Sequence, residues 1–96
     1  MSTLFTINKA PSSKLLDSCL RTAMSGDCIL FIEDGVYHGI SAKALSRIPE
    51  DIDVYSLKED IIARGLVDRA KDRSQSANYR RFVQLCTEHS KVVSWF

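Results

Sequence analysis

Three cysteines, Cys19, Cys28 and Cys86, are the residues of this 96-residue chain best equipped for covalent chemistry. A thiolate can attack, accept sulfur or hold a soft metal, but only where its surroundings favour the charged form. No Cys-x-x-Cys pair exists, and neither His38 nor His89 has ligand-like neighbours. A zinc site and any other metal or cofactor site are therefore not expected. Three widely spaced cysteines do not read as a disulfide framework. Cys19 lies in "LLDSCLRTAM", where Leu15, Leu16, Cys19, Leu20, Ala23 and Met24 recur at helical spacing. Asp17, Ser18, Arg21 and Thr22 fall on the opposite side, so Cys19 is expected mid-helix on an apolar face. Cysteine behaves there as a small hydrophobe. Cys28 opens an apolar run and Cys86 is expected to face the core, so both read as inert, and for Cys19 packing outweighs reactivity on spacing alone.

Acid–base groups are sparse. Glu33 and Asp34 could supply a carboxylate and His38 a base, but no nucleophile of fixed spacing accompanies them. An acidic pair before glycine reads as a solvated turn, and His38 beside it as surface. His89 reads as a helix-end residue, and Tyr37 and Tyr55 as packing residues. No Gly-x-Gly-x-x-Gly or Gly-Lys-Ser run marks a phosphate loop. No catalytic constellation assembles.

The elements that must position these residues follow from patterning. "TLFTI" reads as a first strand and "NKAPSS" as a loop, with Ser12 or Ser13 capping the Cys19 helix. Gly26 is expected to end that helix. "CILFI" is apolar without alternation, which suits a strand buried on both faces of a parallel sheet. "VYHGI" is bracketed by glycines and too short for a regular element. Its Val36, Tyr37 and Ile40 are candidates for a partner interface, the alternative being a helical turn folded onto the core. Ser41 is placed to cap a short helix that Pro49 closes. "DVYSL" reads as a third strand, and Ser56 with Glu59 as a capping box for "KEDIIAR". Gly65 follows as a C-terminal cap. "DRAKDRSQSAN" reads as a mobile loop, with a short strand around Leu66 and Val67 as an option. A last helix is expected to bury Tyr79, Phe82, Val83 and Cys86, before a terminal strand "VVSWF". The order implies one domain, residues 1–96, with an α/β three-layer sandwich around a mostly parallel sheet.

Thirteen basic and twelve acidic residues leave a net charge of +1, with no basic block. Direct nucleic-acid binding is not favoured. The apolar runs are far shorter than a membrane span, and the first residues lack a signal-peptide pattern, so a cytoplasmic location is expected.

Several stretches, in order, resemble the TusB/DsrH family of sulfur-relay subunits. They are "TLFTINKAPSS", "LDSCLRTA", "GDCILFIEDGVY", "VYSLKEDIIARGL" and "NYRRFVQLCTEHSKVVSWF". The resemblance runs from about residue 3 to residue 96. It implies a DsrE/DsrF-like fold and assembly with TusC/DsrF-like and TusD/DsrE-like chains into a heterohexamer. Such a complex passes persulfide sulfur to a TusE/DsrC-like carrier, ending as the 2-thio group of the tRNA wobble uridine. Related complexes serve dissimilatory sulfur oxidation. The sulfur-accepting cysteine of the family belongs to the TusD/DsrE-like partner, which implies a structural role for this chain. DsrH-type members share the cysteine at Cys19, so a sulfurtransferase subunit using Cys19 is the alternative. A third reading is an isolated small-molecule-binding α/β domain.

Overall fold

Five strands form one sheet, four of them on apolar or alternating runs and one on a polar stretch. The computed structural model describes residues 1–96. β1 (Thr3–Ile7), β2 (Cys28–Phe31), β3 (Asp53–Leu57), β4 (Gln75–Ala77) and β5 (Lys91–Trp95) lie in the order β4-β3-β2-β1-β5. All four pairings are parallel. Every residue of β2 is buried, as its unalternating sequence requires of a central parallel strand.

Chain direction decides the layers. The first three crossovers step outward from β1 to β4, and the last returns from β4 to β5 at the far edge. Right-handed crossovers therefore put α1 (Leu15–Thr22), α2 (Ala42–Leu45) and α3 (Lys58–Ala63) on one face, and α4 (Tyr79–Glu88) alone on the other. The packing agrees. Phe5, Ile7, Ile29, Phe31 and Val54 meet Leu16, Cys19 and Ile61 in a core of fourteen buried residues. Leu4, Cys28 and Leu30 point the opposite way and meet Leu85 in a cluster of five. No helix is long and apolar enough to cross a membrane.

Local signals succeed where one side chain can meet the need alone. Ser41 caps α2, its Oγ accepting from Ala44 N at 3.1 Å. Asn78 caps α4 in the same way, accepting from Arg81 N at 2.9 Å. After α3, Gly65 adopts φ +66, with its N–H bonded to Ile62 O and Leu66 N–H bonded to Ile61 O. This paired closure needs a left-handed residue, and Leu66 packs in the same core as Ile61.

Other expectations are corrected. The residue before α1 is Lys14, with no side-chain cap, and Ser13 Oγ makes only a long 3.4 Å contact with Leu15 N. Gly26 is left-handed at φ +88, but α1 has already ended at Thr22; Gly26 turns the chain into β2 instead. Ser56 makes no capping box: it lies within β3, the residue before α3 is Leu57 with no side-chain cap, and the Ser56 hydroxyl pairs with Ser74. Leu66 and Val67 form no strand; Val67–Arg69 is a short 3-10 turn. The polar stretch read as a mobile loop instead supplies β4, which pairs with Tyr55, Ser56 and Leu57 of β3. Only Ala77 of that strand is buried, so its sequence carries almost no apolar signal. On α4 the buried residue is Leu85, with Phe82 and Cys86 half-buried beside it, whereas Tyr79 and Val83 are exposed. The apolar stripe is wider than the strip the sheet covers.

The glycine-bracketed segment is a 3-10 helix, Glu33–Ile40, folded back over the core. Glu33 opens it in the left-handed region at φ 50, unusual for a residue with a side chain. Its N–H is held by Asp60 Oδ2 at 2.6 Å. Gly35 lies so close to β1 that an added Cβ would sit 1.9 Å from Ile7 O.

Candidate functional site

The thiols divide by burial. Cys19 points from the middle of α1 into the larger core with no exposed surface. Burial, reinforced by the Asp27 carboxylate, pushes its pKa up to about 12. Cys28 lies under the second face, and burial, with Asp53 adding to it, also pushes its pKa up to about 12. At neutral pH both thiols are held in the protonated form. Neither can act as a nucleophile without the core opening. Cys86 is the one cysteine with partial exposure. It packs against the smaller cluster from α4, so it too faces the core.

Asp27, which acts on Cys19, is itself occupied. Its two carboxylate oxygens accept from Thr3 N at 2.9 Å and Met24 N at 2.8 Å. It thereby ties the end of the α1 connection to the start of β1.

The carboxyl ends of the strands are where parallel sheets bind ligands. Here the Glu33–Ile40 segment crosses them. Asp34 is engaged by Arg64 at 3.0 Å, and Arg64 also reaches Asp60 at 3.7 Å. Glu33 accepts from Asn8 Nδ2 at 3.4 Å. These carboxylates thus fasten loops at the surface rather than face a common substrate position. No group of three or more His, Cys, Asp or Glu side chains converges as a metal site.

His38 is not a surface residue. It is 1% exposed, stacked on Phe31 with ring centroids 4.8 Å apart. Its Nε2 lies 3.0 Å from Lys9 O, while Nδ1 has no partner. Burial pushes its pKa below the usual histidine value, and the Lys9 carbonyl only partly opposes this. The neutral tautomer with the proton on Nε2, donated to Lys9 O, fits both contacts. Such a histidine pins the "NKAPSS" loop to the 3-10 helix and is out of reach of any substrate. His89 does lie at the α4 terminus, with Nδ1 2.7 Å from Ser2 Oγ. Tyr55 packs as expected, under the Arg81 guanidinium, which lies 5.6 Å from its ring and 3.3 Å from its hydroxyl. Arg81 also bonds Glu88 at 2.6 Å, and that bond foremost strengthens its charged state.

Of the three interface candidates, Val36 must be withdrawn. It has no exposed surface and belongs to the larger core. Tyr37 and Ile40 are half-buried against the same core and keep part of their surface outside. The folded-back turn satisfies one side of the segment and leaves the other open.

One constellation was invisible to sequence reasoning. Ser56 on β3 and Ser74 before β4 bring their hydroxyls to 2.5 Å, both residues buried, beside a cavity of about 190 Å³ under α3. Eighteen residues separate the two serines. Only the β3–β4 pairing joins them, and β4 itself was not legible.

Comparison with known proteins matches this architecture. Residues 9–92 match the family model described as DsrH like protein. The chain is 36% identical over 94 residues to Protein TusB of Photorhabdus laumondii, covering 96% of this chain and 99% of that one. It is 34% identical over 96 residues to Protein TusB of Escherichia coli, with the same coverage. A Thermotoga maritima protein solved by solution NMR superposes with a TM-score of 0.69 at 23% identity, over 90% of this chain and 92% of that one, and shares the fold. A parallel five-stranded α/β sheet and a match spanning nearly the whole chain lead to one assignment: the chain belongs to the DsrH family, among relatives that carry the name TusB.

Proposed function

We propose that this chain is a structural subunit of a TusBCD-like sulfur-relay complex, and that it does not itself carry sulfur. The observation that supports this reading is the enclosure of Cys19, whose thiol has no exposed surface and a pKa raised to about 12. A persulfide carrier needs a reachable thiolate, usually beside a positive group or a helix N-terminus. Cys19 has neither, and the charge that acts on it is the Asp27 carboxylate, which disfavours the thiolate. In this reading TusC-like and TusD-like chains complete the heterohexamer in the cytoplasm. The TusD-like chain accepts persulfide sulfur, and a TusE-like carrier takes it onward for 2-thiolation of the tRNA wobble uridine.

The half-open side of the 3-10 helix, at Tyr37 and Ile40, is the proposed contact with a partner subunit. An apolar side chain left partly exposed there gains by burial on assembly. Tyr37→Asp is expected to leave the chain folded and to prevent its co-purification with the TusC-like and TusD-like chains. Assembly at wild-type yield would refute this contact.

The role itself is tested with Cys19→Ser. Complexes reconstituted with the serine variant should transfer sulfur to the carrier at near-normal rate, while the isolated variant loses about 1 kcal/mol of stability from burying a hydroxyl. Loss of transfer in an intact complex, with a persulfide trapped on wild-type Cys19, would make the chain a sulfurtransferase subunit instead.

A further inference from the structure

The cavity beside Ser56 and Ser74 is built as a site. It lies at the carboxyl end of β3, with apolar walls from Ile61, Ile62, Val67 and Ala70 and with Lys58 at its lining. Ile62 and Val67 are 54% and 59% exposed, among the large apolar side chains this fold leaves most open to water. Both belong to this cavity, so an occupant would cover surface that the chain alone leaves wet.

Its polar end carries unspent hydrogen-bonding capacity. Ser56 and Ser74 are 4% and 7% exposed, and their mutual bond is the side-chain hydrogen bond each makes. Two hydroxyls carry two protons, and one bond between them uses one. The second proton is left for an acceptor from outside the chain. Lys58, exposed at the start of α3, adds a positive charge to the same lining. Together they suit an anionic oxygen.

The walls are fixed in advance. The left-handed Gly65 turns the chain from α3 toward Val67. Lys71 N bonds Gly39 O at 3.0 Å, tying the Ala70–Ser74 wall to the 3-10 helix. Gly39 is required there, since an added Cβ would meet Ser56 Oγ at 2.3 Å. An engineered apolar cavity of about 150 Å³ holds one benzene. A volume of about 190 Å³ therefore accommodates one ring or a branched chain of similar size plus a small head group.

We infer that this cavity binds a small monocarboxylate with a ring-sized or branched apolar body. The body lies among Ile61, Ile62, Val67 and Ala70, and the carboxylate accepts from the Ser56–Ser74 pair near Lys58. This site is separate from the proposed sulfur-relay role and stands or falls without it.

The test is a titration of the ¹⁵N-labelled full chain with benzoate and with toluene, its neutral counterpart. Benzoate should shift the amides of Ser56, Lys58, Val67 and Ser74 with an affinity on the order of 1 mM, the range for a ligand of this size. Toluene should bind the same place about tenfold more weakly for want of the charged hydrogen bond. Ser74→Ala should weaken benzoate about tenfold and leave toluene unchanged. Lys58→Gln alters an exposed side chain, so the fold is kept, and should weaken benzoate about threefold. Absence of shifts at saturating benzoate, shifts elsewhere on the surface, or equal affinity for toluene would each overturn the inference. So would benzoate binding unaffected in both variants.

Discussion

The two faces of the sheet are built to different standards. One carries α1, the 3-10 helix, α2 and α3, and encloses fourteen buried residues. The other carries α4 alone, over five. On the first face the sheet's own apolar side chains find a second layer, and the open ones, Ile62 and Val67, lie on the outer elements around the cavity. On the second, Tyr79 and Val83 of α4 and Val92 of β5 remain exposed. The difference follows from topology. Three crossovers run along one side, and a single ten-residue helix must span the return from one sheet edge to the other. The first face thus supplies most of the stability, and the second is the thinner one.

The largest test of that contrast is a pair of truncations. Phe31→Ala removes a fully buried ring that contacts His38 in the thick face and should cost roughly 4 kcal/mol in urea unfolding. Leu85→Ala, the buried anchor of α4, should cost roughly 2.5 kcal/mol, because a lone helix can settle into the space. Equal losses would break the asymmetry.

Acid should act on the thick face next. His38 is buried neutral, with a folded pKa below its unfolded value near 6.5. The unfolded chain therefore binds the proton more readily, and stability falls as pH drops from about 6.5 toward the lower folded pKa. A protonated Nδ1 would have no acceptor. Unfolding curves between pH 7.5 and 5 should show this loss, and a His38→Gln variant should show less of it. A pH-independent wild type in that window would remove His38 as its cause.

Thiol reactivity sharpens the comparison without perturbing either face. In the native chain an aromatic disulfide reagent should modify Cys86 on the thin face first, with Cys19 and Cys28 reacting only after denaturant is added. Rapid native labelling of Cys19 would contradict its enclosure and the structural role proposed for this chain.

The smallest effect is expected where the thin face is open. Tyr79→Ser and Val83→Ser alter side chains that are 56% and 64% exposed and should change stability by less than about 0.5 kcal/mol each. A larger loss, read from the same urea curves, would show that these side chains already pack within the isolated chain.

Much of this was legible residue by residue. The parallel core followed from "CILFI", the α2 cap from Ser41, the turn after α3 from Gly65, and the burial of Cys19 from its spacing with Leu16 and Leu20. Each of these signals is carried by neighbours within a few positions, or by a periodicity that one element imposes on itself. The misreadings share the opposite character. Strand β4 has a polar sequence and exists because β3 offers it a free edge. His38 follows an acidic-glycine turn in the chain and is buried only because its segment folds onto Phe31. Val36 is enclosed by the same fold-back, and Ser56 turns from α3 to Ser74, a partner eighteen residues away.

The sequence alone thus determined the family, the parallel α/β character and the placement of Cys19 on an inward helical face. Tertiary structure alone decided which polar residues are buried, which face of α4 stays open and where a cavity forms. Periodicity records how one element divides itself between core and water. Burial and hydrogen-bond partners depend on what another part of the chain brings to that element, and no local pattern contains that information.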